Sequence, residues 1–421
     1  MIMREMKDSG ISWVGEIPKE WTIMPLYCFY SERKNKNIFG AENNLLSLSY
    51  GKVIRKDINT SEGLQPSNYN GYNIVEAGDI IIRPTDLQND KRSLRTGLSK
   101  ERGIITSAYI ALKPKNGINS RFYHYLLHTY DILKVFYNMG NGVRQGLNYD
   151  EFAKLMVYSP SDTEQQKIAD FLDRECGKID GLKADIQAQI DTLEQYKRSV
   201  ITEAVTHGLN PSSPMKDSGI PWVGEIPAKW AVLPIYCVYG ERKRKNVFGT
   251  EQNLLSLSYG KVIRKDINTN GGLLPSNYNG YNIIEKNDII IRPTDLQNDR
   301  TSLRTGLVKE HGIITSAYIA LKPKSRVSSK FYHYLLHYYD VKKVFYNMGN
   351  GVRQGLNYGE FAKLMVYYPP LDEQQEIADY LDNKCAEIEQ IIADKKSQIE
   401  TLDGYKKSLI YEYVTGKKEV V

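Results

Sequence analysis

Apolar residues recur at helical spacing along two long stretches of this chain, at about residues 161–206 and 370–415. The steps between them are mostly three, four or seven residues, which is the pattern of a coiled-coil stripe. The apolar positions are Ile168, Leu172, Ile179, Leu182, Ile186, Ile190, Leu193 and Val200, and then Ile377, Leu381, Ile388, Ile391, Ile399, Leu402 and Leu409. No proline interrupts either stripe, so each stretch predicts one long helix.

A helix of this length needs a partner. About 40 helical residues reach about 60 Å, which is more than one small domain can cover. We therefore expect the two helices to pair with each other, and an antiparallel pair would relate the two halves of the chain by an approximate two-fold axis. The alternative is that each helix packs only on its own domain.

The remaining segments predict mixed α and β structure. The runs "DIIIRP" and "GIITSAYIALKPK" are typical of strands. Residues Ser120–Met139 predict a helix that Gly140 and Gly142 end. Asn148 is then placed to cap a short helix. The predicted fold class is α+β, with two globular domains joined by the coiled coil.

The chain is a duplication with a constant offset. Met6 matches Met215 and Arg144 matches Arg353, and 215 − 6 = 353 − 144 = 209. The loop "NMGNGVRQGLNY" occurs twice without a change, while the helices have kept their pattern and changed many letters. The predicted parts are a first globular domain at 1–160, a first helix at 161–206, a linker at 207–214, a second globular domain at 215–369, a second helix at 370–415 and a tail at 416–421.

Composition narrows the class of protein only slightly. The formal net charge of +6 in 421 residues permits a polyanionic partner without demanding one. The 31 tyrosines suit binding surfaces, because tyrosine offers rigid apolar area with a polar tip. Four cysteines form no Cys-x-x-Cys pattern, and no apolar signal core or membrane-length stretch is found. We expect a cytoplasmic protein.

No catalytic constellation is found in the sequence. There is no phosphate-binding Walker loop, and "GNGVRQG" follows a helix rather than a strand, unlike a dinucleotide-binding loop. His124 and His128 lie one helical turn apart, as do His333 and His337. Such a pair can bind a metal. No third ligand is suggested, so we interpret them as ordinary surface or core histidines and predict no metal site.

Side chains suited to DNA binding are plentiful in the polar loops. Arg, Asn and Gln present paired donors and acceptors that match base edges, and Arg and Lys also bind phosphates. The candidate DNA-binding residues are Arg55, Lys56, Arg83, Gln88, Asn89, Asn141, Arg144 and Gln145, with their counterparts Arg264, Lys265, Arg292, Gln297, Asn298, Asn350, Arg353 and Gln354. The alternative for each residue taken singly is a solvated loop position or a hydrogen bond that supports the fold.

A family resemblance adds to this interpretation. The stretch "GLNYDEFAKLMVYSPSDTEQQKIADFLD", its copy ending in "PPLDEQQEIADYLD", and the opening "WVGEIPKEW" resemble the specificity subunit of Type I restriction–modification systems, the HsdS family. The resemblance covers essentially the whole chain. It implies a non-catalytic subunit with two target-recognition domains, each reading half of a bipartite DNA site.

The resemblance also implies partners. The coiled coil would set the spacer between the half-sites and dock two modification subunits, which carry S-adenosylmethionine and methylate adenine. Restriction subunits, which use ATP and magnesium, would join for cleavage. No cofactor is expected in this chain.

The near-identity of the two domains departs from the usual family pattern of two different readers. Equal readers on a two-fold axis prefer equal half-sites facing each other, so we predict an interrupted palindrome. Other functions stay open: a stand-alone palindrome-binding regulator, a self-sufficient nuclease or methyltransferase, and a structural coiled-coil adaptor.

Overall fold

The computed structural model describes residues 4–59, 68–85, 87, 94–139, 146–266, 277–294, 296, 303–324, 326–348 and 355–420. It contains two compact units. Unit 1 consists of Met1–Ile186 and Lys396–Val421, and unit 2 consists of Gln187–Lys395. Each unit therefore holds one globular domain and one half of each long helix.

The strands are short and repeat between the units. Those of unit 1 are β1 Met6–Asp8, β2 Glu16–Pro18, β3 Thr22–Pro25, β4 Tyr30–Glu32, β5 Leu46–Ser49, β6 Lys52–Arg55, β7 Asn73–Val75, β8 Ile80–Ile82, β9 Thr96–Leu98, β10 Gly103–Ile105, β11 Ile110–Pro114 and β12 Met156–Ser159. Those of unit 2 are β13 Met215–Asp217, β14 Glu225–Pro227, β15 Ala231–Pro234, β16 Tyr239–Glu241, β17 Leu255–Ser258, β18 Lys261–Arg264, β19 Asn282–Ile284, β20 Ile289–Ile291, β21 Thr305–Leu307, β22 Gly312–Ile314, β23 Ile319–Pro323 and β24 Met365–Tyr368.

The helices also occur in matching positions. They are α1 Ser120–Ile132, α2 Tyr149–Phe152, α3 Asp162–His207, α4 Ser329–Val341, α5 Tyr358–Phe361 and α6 Leu371–Val414. The two long ones, α3 and α6, have 46 and 44 residues. None of the helices in the described ranges is long and apolar enough to cross a membrane.

A four-stranded antiparallel sheet forms the centre of each domain, in the order β4-β11-β8-β9 in unit 1. Its strand β8 is a run of three buried isoleucines. Because side chains alternate along a strand, Ile80 and Ile82 enter the larger core, which includes α1, whereas Ile81 enters a smaller core with Leu46 and Val75. An apolar core on each face explains why the run lacks a polar alternation.

The predicted helix Ser120–Met139 is shorter in the structure. Asn119 caps its start by accepting from the backbone amides of Arg121 and Phe122, at 3.2 and 3.3 Å. The α-helix ends at Ile132, Lys134 has a left-handed φ of 60°, and a 3₁₀ turn follows at Val135–Asn138. The helix prediction was therefore wrong for the last turns, because the apolar pattern continues past Lys134, whose left-handed conformation interrupts the helix.

The predicted pairing of the two long helices is confirmed. In unit 1, Lys406 of α6 donates to Asp180 of α3 at 2.6 Å, and Lys183 of α3 pairs with Asp403 of α6. The later residue of α3, Lys183, pairs with the earlier residue of α6, Asp403, so the helices run antiparallel. In unit 2, Lys197 forms the corresponding ion pair with Glu389.

The far end of each long helix completes a globular core. In unit 1, Leu409, Ile410 and Val414 of α6 belong to the same buried cluster as Trp21. In unit 2, Ile201, Ala204 and Val205 of α3 belong to the cluster that holds Trp230. The ends of the helices are thus built into the domains. Nearer the middle of each helix, two positions of the predicted stripe stay exposed, Leu182 by 53% and Ile391 by 39%.

Candidate nucleic-acid interface

Two of the candidate loops meet at one edge of the central sheet. Strand β8 ends at Ile82, and the chain continues through Arg83 and Pro84. The backbone amide of Leu147, at the end of the glycine-rich loop, donates to the carbonyl oxygen of Pro84 at 3.0 Å. Leu356 and Pro293 make the same 3.0 Å bond in unit 2. The fold therefore joins segments that lie more than sixty residues apart in sequence.

A cleft of about 410 Å³ opens at this edge in unit 2. The residues that line it are Glu241, Lys243, Pro293, Ser316, Ala317, Tyr318, Ile319, Leu356, Asn357, Tyr358 and Gly359. Tyrosine, serine and asparagine side chains give it both stacking surfaces and hydrogen-bonding groups. Unit 1 has Asp150 where unit 2 has Gly359, so the two edges differ by one carboxylate.

A buried arginine braces the bases of the two loops. Arg95 is fully buried at the start of β9. Its guanidinium donates to the carbonyl oxygen of Thr85, in the loop after β8, and to the hydroxyl of Tyr137 at 3.0 Å, where the chain enters the glycine-rich loop. Its backbone amide donates to the carboxylate of Asp131. Arg304 makes the matching bonds in unit 2, to Thr294 at 2.5 Å and Tyr346 at 3.1 Å.

The charges around this arginine are coupled. Burial raises the pKa of Asp131 above its usual value, although the hydrogen bond from the amide of Arg95 acts in the opposite direction. Burial, and then the nearby Asp131 carboxylate, raise the pKa of Tyr137 to about 12. The Tyr137 hydroxyl stays protonated at neutral pH and donates to Asp131 at 3.1 Å. Arg95 was not among the residues predicted from the sequence, because most segments of the two domains are unchanged and "SLRTGL" does not stand out among them.

The described candidate residues do not all lie together. Arg55 at the end of β6 is exposed, and its Nε lies 2.8 Å from Glu101. Glu101 lies in the turn between β9 and β10. In the same turn, the backbone of Ser99 is hydrogen-bonded to Gly78 and Asp79, which directly precede β8. Arg83 follows the other end of β8. Arg55 is therefore held at the opposite edge from Arg83, and Arg264 is held in the same way by Glu310 at 2.8 Å.

The other described candidate residues are placed by hydrogen bonds of their backbone amides. The amides of Arg83 and Arg292 donate to the carbonyls of Arg95 and Arg304, at 2.9 and 2.8 Å, and the amides of Lys56 and Lys265 donate to Leu45 and Leu254, both at 2.8 Å. Gln88, Asn89, Asn141, Arg144 and Gln145 lie outside the described residues, as do Gln297, Asn298, Asn350, Arg353 and Gln354.

The histidine pairs are half-buried on helices α1 and α4. Burial lowers the pKa of His124 to about 3 and that of His128 to about 4. The same cause lowers the pKa of His333 to about 3 and that of His337 to about 4. No cluster of three or more potential metal ligands occurs among the residues for which coordinates are described. These four half-buried rings are uncharged at neutral pH.

In each unit one basic side chain bridges two glutamates, an arrangement called the clamp here, and the basic residue differs between the units. In unit 1, Arg102 donates to Glu42 at 2.9 Å and to Glu76 at 2.6 Å. In unit 2, His311 takes the arginine's place and lies 2.8 Å from both Glu251 and Glu285. The hydrogen bond to Glu285 is the main cause that raises the pKa of His311. The histidine clamp is charged only when protonated, whereas the arginine clamp is always charged.

We expect the clamp of unit 2 alone to weaken as pH rises. A histidine whose folded pKa lies above its unfolded value of about 6.5 stabilises the fold fully below that value. The stabilisation is lost as pH rises through the folded pKa. Hydrogen exchange of residues 249–253, corrected for intrinsic rate, should therefore speed up from pH 6 to pH 9. His311→Arg should remove the dependence and Arg102→His should create it in unit 1. Equal pH responses of the two wild-type loops would contradict this assignment.

Comparison with known proteins agrees with this architecture. The family model described as "Type I restriction modification DNA specificity domain" matches residues 31–192 and again 241–401. A curated specificity subunit of the type I restriction enzyme MjaX from Methanocaldococcus jannaschii is 23% identical over 426 residues, covering 97% of this chain and 96% of that one.

A solved structure has the same fold. A chain from a structural study of the type I R-M system superposes with a TM-score of 0.68 at 12% identity, and the match covers 96% of this chain and 99% of that chain. The family model matches most of the present sequence, in two stretches that each begin in a different unit. The chain therefore belongs to the Type I restriction–modification DNA specificity family, as a specificity subunit with two DNA specificity domains.

Proposed function

We propose that each domain of this chain reads one half of a bipartite DNA site, and that the two half-sites form an interrupted palindrome. The observation that supports this proposal most is that the described ends of the same two loops meet at the same sheet edge in both units, where Arg95 and Arg304 bond to them. The segments that build this edge are identical in sequence, at 80–90 and 289–299 and at 134–149 and 343–358. Identical readers select identical bases.

The proposed contacts divide into two kinds. Arg144, Gln145 and Asn141, with their copies, are proposed to reach base edges from the glycine-rich loop, while Arg83 and Arg292 lie beside the phosphates. Arg55 and Arg264 are already paired with Glu101 and Glu310. To bind DNA, those two arginines would have to exchange a carboxylate partner for a phosphate. We therefore propose that they contact at most the DNA phosphates and no base.

The coiled coil is proposed to set the spacer and to dock two modification subunits. Its surface offers apolar residues that no core covers, with Leu182 and Tyr405 exposed in unit 1 and Tyr196 and Ile391 exposed in unit 2. In unit 2 a cleft of about 400 Å³ lies between α3 and α6, lined by Ala188, Gln189, Thr192, Leu193, Ile391 and Lys395. Exposed apolar surface of this kind favours a protein partner.

Chemistry is proposed to reside in the partners. The modification subunits would bring S-adenosylmethionine and methylate adenine, and restriction subunits would bring ATP and magnesium. This chain would contribute recognition and spacing, with no catalytic residue of its own.

Substitution of Arg144 tests readout directly. Arg144→Ala should cost about 1–3 kcal/mol on the intact site if the guanidinium contacts a base, and should relax the preference at one position of one half-site. Arg353→Ala should do the same at the other half-site. Binding of the assembled complex to a panel of single-base variants, at two salt concentrations, measures both effects.

The salt response separates the alternatives. A phosphate contact at Arg144 would weaken all variants equally and flatten the salt dependence by about one unit of slope. Such a uniform loss would contradict base readout by this residue. Tight, specific binding without any modification subunit would instead favour the stand-alone regulator.

A further inference from the structure

The most exposed described aromatic side chain of unit 1 is Phe39, with 93% of its surface accessible, and its copy Phe248 is 90% accessible. Neither ring stabilises the folded domain, because an exposed ring buries no apolar area. The flanking Ile38 and Val247 are also largely exposed. Each domain thus carries an aromatic tip on its surface that the fold does not require.

The loop that carries Phe39 is internally braced. Asn37 is buried, its side-chain amide donates to the carbonyl of Glu42 at 3.0 Å, and its oxygen accepts from the amide of Glu42 at 3.1 Å. The amide of Gly40 donates to the carbonyl of Asn37 at 2.9 Å, and Gly40 has a left-handed φ of 60°. Asn246 repeats these bonds to Glu251, at 3.0 and 3.2 Å. The ring is therefore presented on a fixed turn.

The turn leaves the sheet at the same edge as the candidate loops. Strands β4 and β8 both run antiparallel to β11, so both end at one edge. Beyond β4 the chain continues past Lys36, which bridges to Asn73, and the amide of Asn37 donates to Tyr72 at 2.9 Å. Phe39 thus follows the end of β4, as Arg83 follows the end of β8.

Basic residues accompany the ring. Lys34 and Lys36 precede Phe39, and Lys243, Arg244 and Lys245 precede Phe248. Lys34 is paired with Glu32 at 2.7 Å and Lys36 donates to the carbonyl of Gly71 at 2.9 Å, so a phosphate would have to share or replace these partners. An aromatic tip flanked by cations is complementary to nucleic acid, where phosphates surround stacked bases.

The two copies of the loop have diverged around the ring without changing it. The paired differences are Asn35 and Arg244, Ile38 and Val247, Ala41 and Thr250, and Asn43 and Gln252. Phe39 and Phe248 nevertheless both remain phenylalanine. Since the fold does not need the ring, a contact outside the chain would give it a role.

We propose that Phe39 and Phe248 are aromatic wedges that stack against the bases of DNA at one step in each half-site, while the adjacent lysines contact the flanking phosphates. This inference rests on the proposed DNA-reading function. Inserted apolar side chains partly unstack a base step, and stacking of a base on an aromatic ring strengthens binding. The wedge would add affinity and a preference for deformable steps, with no hydrogen bond to a base.

The test uses the complete chain with its modification subunits and duplexes carrying the recognised site. 2-Aminopurine, whose fluorescence rises on unstacking, is placed at successive positions. We expect a rise at one step in each half-site, besides any rise at the methylated adenine. Phe39→Ala should abolish the rise in one half-site and Phe248→Ala in the other, and each should weaken binding by about 5- to 100-fold.

Matched variants separate the ring from the fold. Phe39→Trp should keep the fluorescence step, and Ile38→Ala should leave both fluorescence and affinity near wild type. The signal at the methylated adenine should persist in every variant. Unchanged fluorescence and affinity in Phe39→Ala would overturn the wedge, and so would a defect confined to assembly with the modification subunits. Failure of the wild-type complex to bind any site would overturn the proposed function as well.

Discussion

Replacing Arg95 with leucine is expected to lower the free energy of unfolding of unit 1 by about 2–5 kcal/mol, because it removes a buried charged donor from the acceptors that it serves. Asp131 would keep its bond from the backbone amide of residue 95 and the charge of Lys134, and would lose only the charge of Arg95. The carbonyl of Thr85 and the hydroxyl of Tyr137 would lose their donor. Hydrogen exchange of β8 and α1 under native conditions measures the loss.

The duplication supplies the control for this experiment. Arg304→Leu should produce the same loss in unit 2 and leave unit 1 unchanged. Arg95→Lys should recover only part of the stability, since an ammonium group cannot reproduce the planar fork that joins Thr85 and Tyr137. A loss below about 1 kcal/mol for Arg95→Leu would show that the brace does not hold the loops.

Inserting seven residues into both long helices is expected to lengthen the spacer of the recognised site by about three base pairs. Seven helical residues add about 10 Å, and base pairs are about 3.4 Å apart. The insertions belong after Gln187 in α3 and after Lys396 in α6, which are equivalent positions. A full heptad keeps the apolar stripe in register.

The affinity for the longer site should be lower than that of wild type for its own site. Three base pairs also rotate one half-site by about 100° around the DNA axis, which the complex must absorb by twisting the DNA. Inserting the heptad into α3 alone should disrupt the pairs of Lys183 with Asp403 and of Lys406 with Asp180, and lower stability. An unchanged spacer in the variant with both insertions would contradict the proposal that the coiled coil sets the spacer length.

The long helices were predictable because their stripes are regular over many turns. The end of α1 was not, because Val135 and Phe136 continue the apolar pattern beyond a left-handed residue at Lys134. Periodicity reports which side chains are buried, and here the helix and the 3₁₀ turn bury side chains in the same core.

The candidate site was predictable in part. Repetition of the loops led to the prediction of which segments bind DNA, and the structure places the ends of two of them together through Leu147 and Pro84. Arg95 could not be recognised, since a buried arginine and a surface arginine look alike in sequence. The pairing of Arg55 with Glu101 spans 46 residues and has no local signal. Exposure of Phe39 depends on the fold of its turn.

The most direct test of the central claim is the methylome of cells that express this chain together with its modification subunit, compared with cells that lack this chain. The account predicts new N6-methyladenine at an interrupted palindrome, with one modified adenine per strand. New methylation at an asymmetric bipartite motif would contradict the argument that identical domains read identical half-sites. Absence of new methylation, with the modification subunit shown to be active beside another specificity subunit, would contradict the proposed function itself.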